Sequence, residues 1–499
     1  MTGVLAGDLL VLLAGHGTLR LAAGPPVRVY GVLGVLGLSW LAGVTVLGAV
    51  TTLVAVLGGP TRPLPVIAPT LGAIAVAGLL PARSRLGAWW RLRRSGAGRP
   101  APDTGGAGRT DRAAIVEAPS AGPDRPAGRW LGDVVCGVVA LGVGVHTTAV
   151  TAALPVASTD EYAIWMIRAR TLSQTGHLDA PVFLGDGAAY QHLDYPLFFP
   201  ALGAWGDGWA GHPSDSAAHV AVAALVAALL AVVGWAANRL AGPLPAVAAV
   251  LLVASAPTML SVQSLTLMSD VPLLAFALPL ALALVCWLRA PDRRLLVAAA
   301  VLAAGACGTK VEGALFTGAA FLAALLVARG GRRGLLAAAG VAVVANLPWQ
   351  VYARVHGLRS DVANSETLSA AHLRTVPRYA GQVVRGMADR WPWPHPVPGP
   401  VVLAAVALAL LLAVRAGAGR IGAFLGIAAA VDIVVLAGQY VVSAGQNGRA
   451  RPELAGLLQV TVYRVSLVPA LLIMLAVPLL AGVALAEPRS ARGDEVDRP

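Results

Sequence analysis

Stretches of about twenty apolar residues recur along this chain, too long and too numerous to be the core of a water-soluble domain. Short clusters of Gly, Pro and Arg set them apart. Hydrophobic residues make up 57% of the sequence and charged residues 12%, so most of any folded surface must be apolar and the solvent is lipid. A backbone in lipid has to satisfy its own hydrogen bonds, and apolar runs of this length do so as helices. The expected fold is all-α, a polytopic transmembrane helical bundle of about twelve to thirteen spans.

A formal charge of +12 would suggest nucleic acid in a soluble protein. Here the arginines sit in the gaps between apolar runs, where Lys and Arg set orientation across a membrane, and no nucleic-acid partner is expected. Cys136, Cys286 and Cys307 lie inside apolar stretches without CxxC or Cys/His spacing, which argues against a disulfide framework or a zinc site. The N-terminus carries Asp8 and no basic region followed by a small-residue cleavage site, so the first spans are expected to insert the protein.

Residues 1–81 provide two or three spans. Residues 82–129, rich in Arg, Gly and Pro, read as a cytoplasmic disordered linker. Sidedness then alternates from that anchor. The span at 130–153 delivers residues 154–214 to the outer face, and later hairpins turn outside at Ser269–Asp270 and Lys310–Gly313. A last pair, 401–414 and 421–443, precedes an outer segment at 444–464, a final span to Ala486 and a cytoplasmic tail, 487–499. The result is a multi-pass cell-membrane protein whose acids, single lysine and aromatic loops gather on the extracytoplasmic side.

Those scarce charges are the candidate chemistry. Asp160 and Glu161 follow an outward span and enter a short segment containing Tyr162, Trp165, Arg168 and Arg170. A carboxylate there can act as general base on an acceptor hydroxyl, or the pair can simply cap a helix. The segment Tyr190–Pro200 brings His192, Asp194 and Tyr195 into an aromatic, Pro-punctuated stretch, where Trp165 and its neighbours can also serve as interface anchors.

Lys310 is the only lysine in the chain and stands beside apolar helix in GTKVEG. Ionisable groups at such depth cost about 2.5–3.5 kcal/mol on insertion scales and usually mark a pathway or a charged partner. Glu312 is close in sequence, but positions i and i+2 do not face each other on a helix. In a tight turn the ammonium can point to a phosphate and the carboxylate to sugar hydroxyls, while the bland alternative is snorkelling of both to the interface. Arg464 suits a lipid phosphate or a helix anchor, and Asp270 suits a site or the cap of the helix starting near Pro272. Gly417, Gly419 and Gly422 spell GxGxxG, but no strand precedes them and no dinucleotide site follows. The Trp391–Pro400 run reads as an aromatic-anchored outer loop.

The order of these pieces resembles the GT-C superfamily of membrane glycosyltransferases, in particular bacterial relatives of protein O-mannosyltransferases and aminoarabinose transferases. The resemblance covers roughly residues 130–486. It rests on DEYAIWMIRARTL (160–172), DYPLFFP (194–200), SDVPLLAF (269–276), TKVEG (309–313), LPWQVYARVHGL (347–358) and the Tyr-Arg pair at 463–464. It implies a polyprenyl-phosphate sugar as donor, a glycan, lipid or protein hydroxyl as acceptor, and inversion at the anomeric carbon.

By that resemblance Asp160 is the catalytic acidic residue, Glu161 completes the acidic pair, and Lys310 with Arg464 holds the donor phosphate. Asp270, Glu312, His192, Asp194, Tyr195 and Trp165 are then the candidates for sugar or acceptor. One departure stands out: where relatives carry a Trp-His pair before the last Arg, this chain reads LAGLLQVTVYR (454–464). A divalent metal can join if the carboxylates at 160, 161 and 270 converge. Two rival readings are a transporter or flippase, although no two-half repeat is visible, and a non-catalytic cell-envelope assembly factor.

Overall fold

The computed structural model describes residues 2–25, 27–80, 128–156, 158, 160–184, 192–256, 263–358, 369–370, 374, 376–391, 399–415, 417–443 and 451–486. The linker up to residue 127, most of the Trp391–Pro400 run and the tail 487–499 lie outside the described residues. Every regular element among the described residues is helical.

The N-terminal helices are α1 (Thr2–Ala23), α2 (Val27–Val56) and α3 (Ala68–Leu79). Helix α4 (Gly128–Thr151) leads to a π-helical turn, Glu161–Met166, which continues directly into α5 (Ile167–Gln174). After the short turn Pro181–Leu184 come α6 (Phe198–Ala210), α7 (Asp215–Ala241), α8 (Pro243–Ala254), α9 (Asp270–Arg289) and α10 (Arg293–Thr309). The remainder is α11 (Val311–Val327), α12 (Arg332–Val355), α13 (Pro377–Arg390), α14 (Gly399–Arg415), α15 (Gly419–Ser443), α16 (Arg451–Val465) and α17 (Leu467–Ala486).

Eight of these helices are long and apolar enough to cross a bilayer, and four more are apolar but shorter. The chain is therefore a helical membrane protein. The expected twelve to thirteen crossings counted the shorter runs as complete spans; α8, with 12 residues, rises only about 18 Å at 1.5 Å per residue.

Helix α9 shows why these residues pack as they do. It has no polar face between Val271 and Leu288, and its whole apolar window is buried, with α7, α10, α11, α15 and α17 around it. The N-terminal helices share the same core. At the α1–α2 crossing, a Cβ on Gly15 would strike the Ser39 carbonyl and the Gly43 backbone, so the two helices touch there only because both residues are glycine.

The gap arginines stitch one end of the bundle together. Arg294 Nε donates to Ala23 O (3.2 Å), Arg293 to Ala22 O (3.0 Å) and Arg239 to Val29 O (2.8 Å). Tyr30 Oη donates to Arg294 O and its ring meets Trp235 edge-on. Ala22 and Ala23 end α1, so the Arg293 and Arg294 side chains satisfy carbonyls that this helix end leaves open. Because helices alternate in direction, the opposite end receives the start of α9, the α10–α11 junction and the turn at Glu161.

Candidate functional site

The local break at Lys310 positions much of the site. This residue ends α10 and begins α11 in extended conformation (φ −158°, ψ 154°), so a single non-helical residue separates two apolar helices. The i, i+2 rule for a continuous helix does not apply across such a break, and Lys310 Nζ lies 3.4 Å from Glu312 Oε1. The two side chains therefore pair with each other through Oε1, a contact that the i, i+2 rule had argued against.

Asp270 opens α9 and is the hub. Its Oδ1 accepts from Lys310 Nζ at 3.0 Å, and its Oδ2 accepts from Arg464 Nε at 2.9 Å and Nη2 at 2.8 Å. Ser269 holds the N-cap position of α9, and both Asp270 oxygens are used by cations, so the capping reading of Asp270 is set aside. Arg464, in the last turn of α16, extends the network through Nη1 to Asp160 Oδ2 at 3.3 Å. Burial alone works against the Arg464 cation, but Asp270 and then Asp160 outweigh it and hold the guanidinium above its ordinary value.

Exposure grades along this chain of charges. The Asp270 side chain is 2% exposed, Lys310 7%, Glu312 9% and Arg464 15%, whereas Asp160 reaches 42%. A ligand therefore meets Asp160 first and finds two cations behind it. Asp160 has helical backbone angles at the start of the π-helical turn and no side-chain cap bond, so capping does not account for it. Such turns are frequent at functional sites. Glu161, beside it, is buried, with its amide donating to Ser158 Oγ.

The aromatic candidates form a wall beside these charges. Trp165 stacks on Tyr195 with ring centroids 5.4 Å apart and meets Phe199 edge-on at 5.6 Å. His192 also stacks on the same tyrosine, at 4.5 Å, in a left-handed backbone conformation uncommon for a residue other than glycine. Tyr195 Oη donates to Glu312 Oε1 at 3.5 Å, which joins the wall to the charge network. Trp165 and Tyr195 are buried, so they are packing and lining residues, not surface anchors. Asp194 offers its carbonyl to Trp349 Nε1 at 2.8 Å.

Four residues that were not among the candidate site residues also take part. Arg168 is almost fully buried and donates to His192 O (2.7 Å) and Tyr195 O (3.3 Å), fixing the loop that carries both. Trp349 and Tyr352, near the end of α12, stack on each other and donate to the carbonyls of Asp194 and Leu178. Asp432 lies buried in α15, and its only visible signal was one acid inside an apolar run.

The convergence of carboxylates 160, 161 and 270 that a divalent ion would need is not formed. Arg464 stands between Asp160 and Asp270, and no group of three or more His, Cys, Asp and Glu side chains among the described residues is placed to hold a metal. The arrangement instead offers one accessible carboxylate, two cations sharing a buried counter-ion, and an aromatic wall. Comparison with protein-family models, with curated proteins and with solved structures found no match to this chain.

Proposed function

We propose that the protein is an integral membrane glycosyltransferase of GT-C type. It moves a sugar from a polyprenyl-phosphate donor to a hydroxyl of a glycan, lipid or protein acceptor at the extracytoplasmic face, with inversion. The observation that carries this reading is the connected path from the accessible Asp160 carboxylate through Arg464 and Asp270 to the single lysine. A base and two cations then stand on one network, at the end of the bundle away from the arginine-rich gaps.

In this reading Asp160 takes the proton of the acceptor hydroxyl as its oxygen attacks the anomeric carbon. The bond from that carbon to the phosphate oxygen breaks, and polyprenyl phosphate leaves with the electron pair. Negative charge grows on the phosphate during the step, so Arg464 and Lys310 stabilise the transition state more than the bound donor. Asp270 is a positioning residue that keeps both cations near each other before the phosphate arrives.

The test is turnover. Purified protein in proteoliposomes, given labelled polyprenyl-phosphate mannose and arabinose with an envelope-extract acceptor, is expected to release polyprenyl phosphate and label the acceptor. The rival transporter reading draws on Asp432, since buried charge within a span also lines substrate paths. A transporter would move label across the bilayer without making a new glycosidic bond, and that result would replace the enzyme reading.

Sidedness has its own check. Asp270 and Lys310 are too buried to report by labelling, but His212 and Gly330 are exposed near opposite ends of the bundle. An impermeant maleimide is expected to label His212→Cys in intact cells and Gly330→Cys only after lysis. The reverse pattern would place Asp160 in the cytoplasm and remove the proposed site from the outer face.

A further inference from the structure

Helix α15 buries one face, formed by Phe424, Leu425, Ala428, Asp432, Leu436 and Tyr440 at helical spacing. Five of these six suit a helix packed among others. Asp432 does not: it is 3% exposed, near the middle of a 25-residue apolar helix, and makes no hydrogen bond or ion pair among the described residues. An acid there weakens the membrane fold and returns no bond to it.

Across the α11–α15 contact Asp432 comes within electrostatic range of Glu312. Glu312 has used only one oxygen, Oε1, on Lys310 and Tyr195; its Oε2 is buried without a partner. Two buried carboxyl groups on facing helices thus offer acceptor oxygens that no described residue fills. Lys310 and the Tyr195 hydroxyl hold the other oxygen of Glu312, and the Trp165 ring stacks on that tyrosine.

We propose that Glu312 and Asp432 form the subsite that recognises the hydroxyls of the donor's sugar ring, with Asp432 as a specificity-determining residue. The assignment rests on the glycosyltransferase reading and deepens it. Carboxyl oxygens accept hydrogen bonds, so the pair selects hydrogen-bond donors, and a sugar ring presents several hydroxyls on one rigid frame. A buried site built to bind hydroxyls discriminates strongly against a ligand lacking them, because its polar groups are then left unpaired. The phosphate is excluded from this place by like charge and goes instead to Lys310 and Arg464. The donor is therefore read in two halves, phosphate at the cations and sugar at the acids.

The experiment compares dissociation constants of bare polyprenyl phosphate and of polyprenyl-phosphate mannose or arabinose, for wild type, Asp432→Leu and Asp432→Asn in detergent micelles. Wild type is expected to bind one sugar-bearing lipid at least about tenfold tighter than the bare lipid, the discrimination typical of a single pocket contact. Asp432→Leu should bring that ratio close to one while leaving the bare-lipid constant unchanged, and Asp432→Asn should retain an intermediate ratio. Retention of the full ratio in Asp432→Leu overturns the assignment. Equal binding of bare and sugar-bearing lipids by wild type overturns it too, without touching the glycosyltransferase reading, whereas binding of neither lipid removes both. Asp432→Leu should also be at least as heat-stable as wild type, since Leu replaces an unpartnered buried acid; a clear loss of stability would assign Asp432 to the fold and overturn the proposal.

Discussion

Substituting Asp160 by Asn is expected to lower the rate of sugar transfer by about 10²–10⁴-fold, the range that a positioned general base contributes. The change keeps the shape of the side chain and removes the capacity to accept a proton from the attacking hydroxyl. The Asp160 side chain is 42% exposed and touches Arg464 at 3.3 Å, while Arg464 retains its shorter contacts to Asp270. Stability should therefore change by less than about 1 kcal/mol, as for partly exposed ion pairs. Donor affinity should hold as well, because both cations remain in place. Initial rates and donor binding measured on the same preparation decide the matter. Transfer at the wild-type rate in Asp160→Asn would sink the assignment of Asp160 as the base, and loss of donor binding with an unchanged rate at saturation would make it a binding residue.

The helical plan was legible because lipid imposes a simple code. The turns placed at Ser269–Asp270 and at Lys310 coincide with helix junctions, and the pair 401–414 and 421–443 became α14 and α15. Charges are so scarce in this chain that Asp160, Asp270, Lys310 and Arg464 stood out singly. Their meeting was not legible. Asp160 and Arg464 are 304 positions apart, and Lys310 is 40 from Asp270.

Two local rules also misled for identifiable reasons. The spacing of Lys310 and Glu312 was judged against a continuous helix, but one extended residue between α10 and α11 turns the two side chains toward each other. Asp270 has the residue type and place of a helix cap, yet both of its oxygens are taken by cations from distant helices. Asp432 escaped notice for the opposite reason. A single acid barely changes the hydropathy of a long apolar run, although that is where it costs the most to bury.

Removing Asp270 is expected to be the most destabilising single change in the site. Asp270→Ala leaves Lys310 with Glu312 at 3.4 Å and Arg464 with Asp160 at 3.3 Å, so each cation loses its closer partner in surroundings almost without solvent. Breaking a buried pair from one side typically costs about 3–5 kcal/mol, because the remaining charge stays desolvated. Removing both members behaves differently. Asp270→Leu combined with Lys310→Met substitutes apolar side chains for the pair, and such exchanges are often neutral or stabilising. The double variant should recover only part of the stability lost in Asp270→Leu alone, because Arg464 keeps only Asp160 and Glu312 loses its cation, with a coupling of about 0.5–3 kcal/mol in the cycle of Asp270→Leu and Lys310→Met. Reversible unfolding in mixed micelles measures this directly. Donor binding should not recover with stability, since Lys310 is gone and Arg464 has lost the carboxylate that holds it beside the phosphate position. A double variant that is stable and still binds donor at wild-type strength would make the Asp270–Lys310 pair a structural tie alone. Phosphate recognition would then rest with Arg464.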